Sequence, residues 1–138
     1  MSIEILSMYR GSVCGVASVT ALILGQVIVA TATARAAGQT PGMAPTVGPE
    51  SLAFRAYRAH QNSLENIGPY LGAVVAAIAA GAAPGVINGA ALLFVAARVV
   101  HAVAYYGGVA GVRTAAFVVG LVAMLVITGA TFVALAGG

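Results

Sequence analysis

The sequence predicts an all-α fold, an integral membrane bundle of four helices running up and down in antiparallel order. Three observations predict it. Charged residues are 7% and hydrophobic residues 61% of 138, whereas a soluble domain carries about 25% charged residues. Long uncharged runs recur, each close to the ~20 residues that cross a ~30 Å hydrocarbon core. These runs do not alternate with period two, as strands of a membrane barrel must. The whole chain, residues 1–138, reads as a single membrane domain.

The first helix is expected over about 11–35. Residues 11–34 carry no charge, and a run of that length reads as a span rather than a cleaved leader. A loop follows over 36–49, punctuated by Pro41, Pro45 and Pro49. The second helix, about 51–82, has two characters. Its first half carries Arg55, Arg58 and Glu65, and its second half is apolar. Pro69 falls at the junction, where it should bend the helix and free a backbone carbonyl. Gly81, Pro84 and Gly85 mark a tight turn before the third helix, about 86–106, and Gly107, Gly108 and Gly111 mark the turn before the fourth, about 113–136. Small residues recur every four positions at Gly11 and Gly15, then at Gly72, Ala76 and Ala80, as in helices that approach closely in lipid. The single cysteine, Cys14, lies in an apolar run and reads as a small core residue.

The net charge of +3 comes from six arginines against three glutamates, with no lysine and no aspartate. Nucleic-acid binders gather cations along a solvated face. Here the arginines stand singly or in pairs beside apolar runs, which excludes a nucleic-acid partner. Arg35, Arg55, Arg58 and Arg113 flank the first and third loops. The positive-inside rule then places both loops in the cytoplasm and both termini outside it. Without aspartate there is no Ser-His-Asp arrangement. His60, His101 and Cys14 are too scattered to suggest a metal site.

Three stretches carry the chemistry. Arg58, Asn62 and Glu65 recur at helical spacing and share a face offering a cation, an amide and a carboxylate. A solvated helix end would show the same spacing. Arg98 lies ~13 Å inside the third helix, at ~1.5 Å per residue from Gly107, with His101 and Tyr105 on its side. Holding an arginine at depth costs ~2.5–3.5 kcal/mol on insertion scales, so a compensating group is expected, either Glu65 or a bound anion. Arg113 and Thr114 open the fourth helix, where free N–H groups and the helix dipole favour an anion. An anchor at the membrane face would place an arginine there equally well.

The segment from Arg58 to Pro69, RAHQNSLENIGP, resembles the second-helix signature of the MAPEG family, the membrane-associated proteins in eicosanoid and glutathione metabolism. The segment from Ala97 to Tyr106, ARVVHAVAYY, together with the glycine-rich turn and Arg113-Thr114, is similar to that family's third-to-fourth-helix segment. The resemblance is close over about 50–117 and extends to the outer helices in character. It implies a bacterial-type member, a homotrimer in the bacterial inner membrane, with glutathione between subunits near the cytoplasmic face. It assigns Arg58, Asn62 and Glu65 to glutathione's polar groups, Glu65 meeting the γ-glutamyl ammonium. Arg98 and Tyr105 would contact the peptide from a neighbouring third helix, and Arg113 would stabilise the thiolate. Gln61 and Phe117 depart from the basic residue and the tyrosine that some members carry there.

The implied function is a glutathione S-transferase or peroxidase, with glutathione as cosubstrate and a lipophilic electrophile or lipid hydroperoxide as partner. Two other classes fit four spans: a non-catalytic membrane binder or scaffold of the same fold, and a small exporter of cationic drugs. The exporter needs an accessible carboxylate deep in a span. Glu4 is too near the terminus for that, and Glu65 has arginine neighbours.

Overall fold

The computed structural model describes residues 3–137. A short helix α1 (Ile3–Met8), which the sequence did not announce, turns at Tyr9 into α2 (Arg10–Ala36). Three more long helices follow: α3 (Leu52–Ala79), α4 (Pro84–Gly107) and α5 (Ala110–Gly137). Helices α2, α4 and α5 are long and apolar enough to cross a membrane. Helix α3 is equally long but carries Arg55, Arg58 and Glu65 in its first half. The protein is thus an all-helical integral membrane protein.

Local chemistry sets the helix ends. Ser51 caps α3, its hydroxyl accepting from the Ala53 amide at 3.2 Å. Pro84 occupies the first turn of α4, where a missing N–H costs nothing. Gly108, at φ +71°, ends α4 in the left-handed conformation that a side chain would strain. Helix α3 runs unbroken through Pro69. Proline has no N–H, so the Glu65 carbonyl is left without its intrahelical donor.

A few polar ties fix the direction of each helix. The Tyr9 hydroxyl donates to the Ala82 carbonyl. Asn88 accepts from the Ser12 amide (2.9 Å) and hydroxyl (2.8 Å), and donates to the Met8 carbonyl (2.8 Å). The start of α2 therefore lies beside the start of α4. At the other end, Arg55 donates from Nε to the Tyr106 carbonyl (3.1 Å), so the start of α3 lies beside the end of α4. Helices α2 and α4 run together and α3 runs against them. Contacts of Phe94 and Ala97 with Gly120, and of His101 with Phe117, set α5 antiparallel to α4.

The core is built around Tyr70 of α3, stacked on Phe94 of α4 with ring centroids 4.2 Å apart. Val19, Val74, Ile87, Ala91 and Ile127 pack around this pair. Gly15 lets α2 approach it, since a Cβ there would fall 2.7 Å from the Tyr70 hydroxyl. Leu92, Val99 and Val103 on α4, and Leu125 and Val133 on α5, face outward, as lipid contact requires.

One expectation about small residues needs correction. Cys14 lies on the exposed face of α2 and not in the core, because the buried face of that helix is the one carrying Ser12, Gly15 and Val19. Gly11 and Gly15 do mediate close helix approach, but Gly72 and Ala76 point away from the rest of the chain.

Candidate functional site

The arginine-rich end of the bundle holds a small polar pocket of about 190 Å³, lined by Asn62 of α3, His101 and Tyr105 of α4, and Arg113, Thr114 and Phe117 of α5. Helical spacing aligns its α4 wall: His101 and Tyr105 are one turn apart and meet edge to face at 5.1 Å. Arg113 stands in the first turn of α5. Its guanidinium lies 4.7 Å from the centroid of the Tyr105 ring. Such stacking uses the face of the cation and leaves its N–H edges available to an anion.

Arg98 lies at 2% exposure, the largest fully buried side chain. One terminal nitrogen donates to Asn62 Oδ1 (2.9 Å) and to Ser63 Oγ (3.0 Å). Its buried Nε has no partner among the described residues. The charge is thus held by dipoles of α3. Glu65 comes within reach of Asn62, whose amide approaches its Oε2 at 3.5 Å. Of the two compensating groups expected, Glu65 or a bound anion, Glu65 makes no direct contact with Arg98 among the described residues, and Asn62 and Ser63 accept from it instead. From behind Asn62, the buried guanidinium adds positive charge to that side of the pocket without lining it.

The residues singled out from sequence fall into two groups. Asn62, Arg98, Tyr105 and Arg113 come together, three as pocket lining and Arg98 behind Asn62. Arg58 and Glu65 do not line the pocket: Arg58 is half-buried one turn before Asn62, and Glu65 is exposed on the outer face of α3. Ser63 stands out in no sequence pattern, whereas His101 and Thr114, neighbours of Arg98 and Arg113, and Phe117, a departure from the family pattern, line the pocket. The spacing of Arg98, His101 and Tyr105 was a signal for His101. For Ser63, only its place beside Asn62 hinted at a partner for Arg98.

The match of a family description decides what this arrangement belongs to. The description of the MAPEG family fits residues 12–133, nearly the whole chain. The chain belongs to the MAPEG family. No curated protein matches it. MAPEG proteins are membrane proteins generally associated with glutathione, and they include glutathione transferases alongside other functions. In this MAPEG chain, a second cleft of about 240 Å³ lies between α2, the 37–51 loop and α3, lined among others by Thr31, Pro45, Tyr57, His60 and Gln61. Arg35 stands exposed at the end of α2, beside a shallow groove formed with Val27, Ile28, Thr31 and Ala32.

Proposed function

We propose that this MAPEG protein binds glutathione and transfers its thiolate to a lipophilic electrophile, or uses it to reduce a lipid hydroperoxide. The observation that carries the reading is the polar pocket with Arg113 over Tyr105 on one side, and Asn62 backed by the buried Arg98 on the other. Two cations beside hydrogen-bonding groups suit a small peptide bearing carboxylates and an acidic thiol.

A free thiol of pKa ~8.5 is mostly protonated at neutral pH. The Arg113 guanidinium favours the thiolate, at ~1.4 kcal/mol for each pKa unit. In conjugation the sulfur lone pair attacks the electrophilic carbon, a C–S bond forms and the leaving group departs with the displaced electron pair. In peroxide reduction the thiolate attacks the terminal oxygen. The O–O bond breaks, the lipid leaves as an alcohol after protonation, and a second glutathione converts the sulfenic acid to the disulfide and water. Arg113 also stands where it can meet an alkoxide as charge develops.

In this reading α3 is a fourth span and the Arg35, Arg55 and Arg113 end faces the cytoplasm, with the termini on the other side of the bacterial inner membrane. Its outward Glu65, Gly68, Gly72 and Ala76 face a neighbouring subunit. A homotrimer would bring Glu65 and Arg58 to glutathione bound between subunits. The discriminating variant is Arg113→Ala. Turnover is expected to fall ~10²–10³-fold, the usual effect of removing an oxyanion-stabilising donor, while glutathione affinity stays within a few-fold. Unchanged turnover with an intact thiolate would remove Arg113 from catalysis.

A further inference from the structure

We infer that Arg55 is a positioning residue for Arg113, acting through the last turn of α4. Three carbonyls converge on its guanidinium: Tyr106 on Nε at 3.1 Å, Pro49 on Nη1 at 3.1 Å and Glu50 on Nη1 at 2.7 Å. Arg55 thereby ties three pieces of chain together: the end of the 37–51 loop, the first turn of α3 and the last turn of α4.

The Tyr106 carbonyl belongs to the peptide unit joining Tyr106 to Gly107, one residue beyond Tyr105, whose ring carries the Arg113 guanidinium. Gly108 follows in the left-handed conformation, and its Cα side faces the Arg55 side chain, which a Cβ would approach to 3.8 Å. The Arg113 amide then closes the turn by donating to the Val109 carbonyl at 3.1 Å. Among the described residues, no side chain of 107–112 ties this turn to α3 by a hydrogen bond. Arg55 does so from outside, at the helix end where carbonyls lack intrahelical donors and a cation opposes the dipole.

The planar fork matters more than the charge. Nε and Nη1 are held at a fixed angle, so Tyr106 can be gripped on one side while Pro49 and Glu50 are gripped on the other. A lysine ammonium would keep the charge but could not span both groups in that geometry. Arg55 is outside the pocket lining. It would set where the pocket's cation stands without touching what binds there.

This inference rests on Arg113 as the working cation, so its test is read without any ligand. The measurement is the ring-current shift of the Arg113 side-chain protons over Tyr105, by NMR of selectively labelled protein in detergent or nanodiscs. Wild type is compared with Arg55→Gln, Arg55→Lys and Asn88→Ala. Asn88→Ala loosens the far end of the bundle and serves as the control for general destabilisation. The shift is expected to shrink to half or less in both Arg55 variants and to stay at its wild-type value in Asn88→Ala. Exchange of the 107–114 amides should quicken about tenfold in the Arg55 variants, as loss of one charge-assisted hydrogen bond would cause. A wild-type ring-current shift in Arg55→Gln overturns the proposal, as does its retention in Arg55→Lys or an equal loss in Asn88→Ala. Failure of the protein to bind glutathione would leave this result standing and fall on the function alone.

Discussion

Arg113 rests on the face of Tyr105, its guanidinium carbon 4.7 Å from the ring centroid. One residue is in the first turn of α5 and the other near the end of α4. The contact therefore bridges the glycine turn between them and gives the cation a fixed seat at the pocket. Removing the seat without removing the cation tests its worth. Tyr105→Leu should cost about 0.5–1 kcal/mol of Arg113 positioning. Steady-state assays should show a fall in kcat of a few-fold, clearly smaller than that of Arg113→Ala. Equal losses in the two variants would mean that Tyr105 itself does the work assigned to Arg113.

Arg98 is charged, buried and held by Asn62 and Ser63. Ser63→Ala strips one acceptor from a guanidinium that cannot shed its charge. The expected loss is about 1–3 kcal/mol, measured by thermal or denaturant unfolding in detergent. Arg98→Leu should be milder in stability than its burial suggests, since it also removes the cost of holding a charge in the bundle. It should, however, weaken glutathione binding at least tenfold. Full binding by Arg98→Leu would confine Arg98 to a structural role.

Gly15 and Tyr70 form a second testable pair. A Cβ at position 15 would meet the Tyr70 hydroxyl at 2.7 Å, and moving the Tyr70 ring aside would disturb its stack on Phe94. Gly15→Ala should destabilise by about 1–3 kcal/mol, as overpacking does. The Tyr70 hydroxyl is buried without a partner among the described residues, so Tyr70→Phe alone should be neutral or stabilising. Combined with Gly15→Ala it should recover most of the loss. A strictly additive double mutant would contradict the contact.

On the outward face of α3, a Cβ at Gly72 would meet no side chain or neighbouring helix within 4 Å among the described residues. If that face packs on a second subunit, Gly72→Leu should leave the monomer fold unchanged by circular dichroism. It should also shift the assembly to smaller species in light scattering, since a leucine would hold two close backbones apart. An unaltered assembly would place the subunit contact elsewhere.

Much of this organisation could be read from residue order, and the limits are physical. Charge spacing and glycine punctuation mark the long helices. The depth of Arg98 follows from its distance to Gly107 at a fixed rise per residue. The partners of Arg98 were less legible. Asn62 and Ser63 are adjacent in sequence, yet both bond one nitrogen, because a long side chain crossing from α4 reaches between neighbouring positions of α3. Periodicity along one helix says nothing about such a crossing. The sequence also favoured Cys14 for the core, because composition shows that a run is apolar but not which face turns inward. In lipid both faces are apolar, and the amphipathic contrast that orients a helix in a soluble protein is lost. Arg55 read as one of several membrane-face cations. Its grip on three carbonyls depends on where the turn after α4 falls.

Titration calorimetry of glutathione into the purified protein tests the central claim most directly. The account predicts a saturable heat, competed away by S-methylglutathione and reduced at least tenfold in affinity by Arg98→Leu. No heat, or a heat that neither the competitor nor that variant changes, would contradict it.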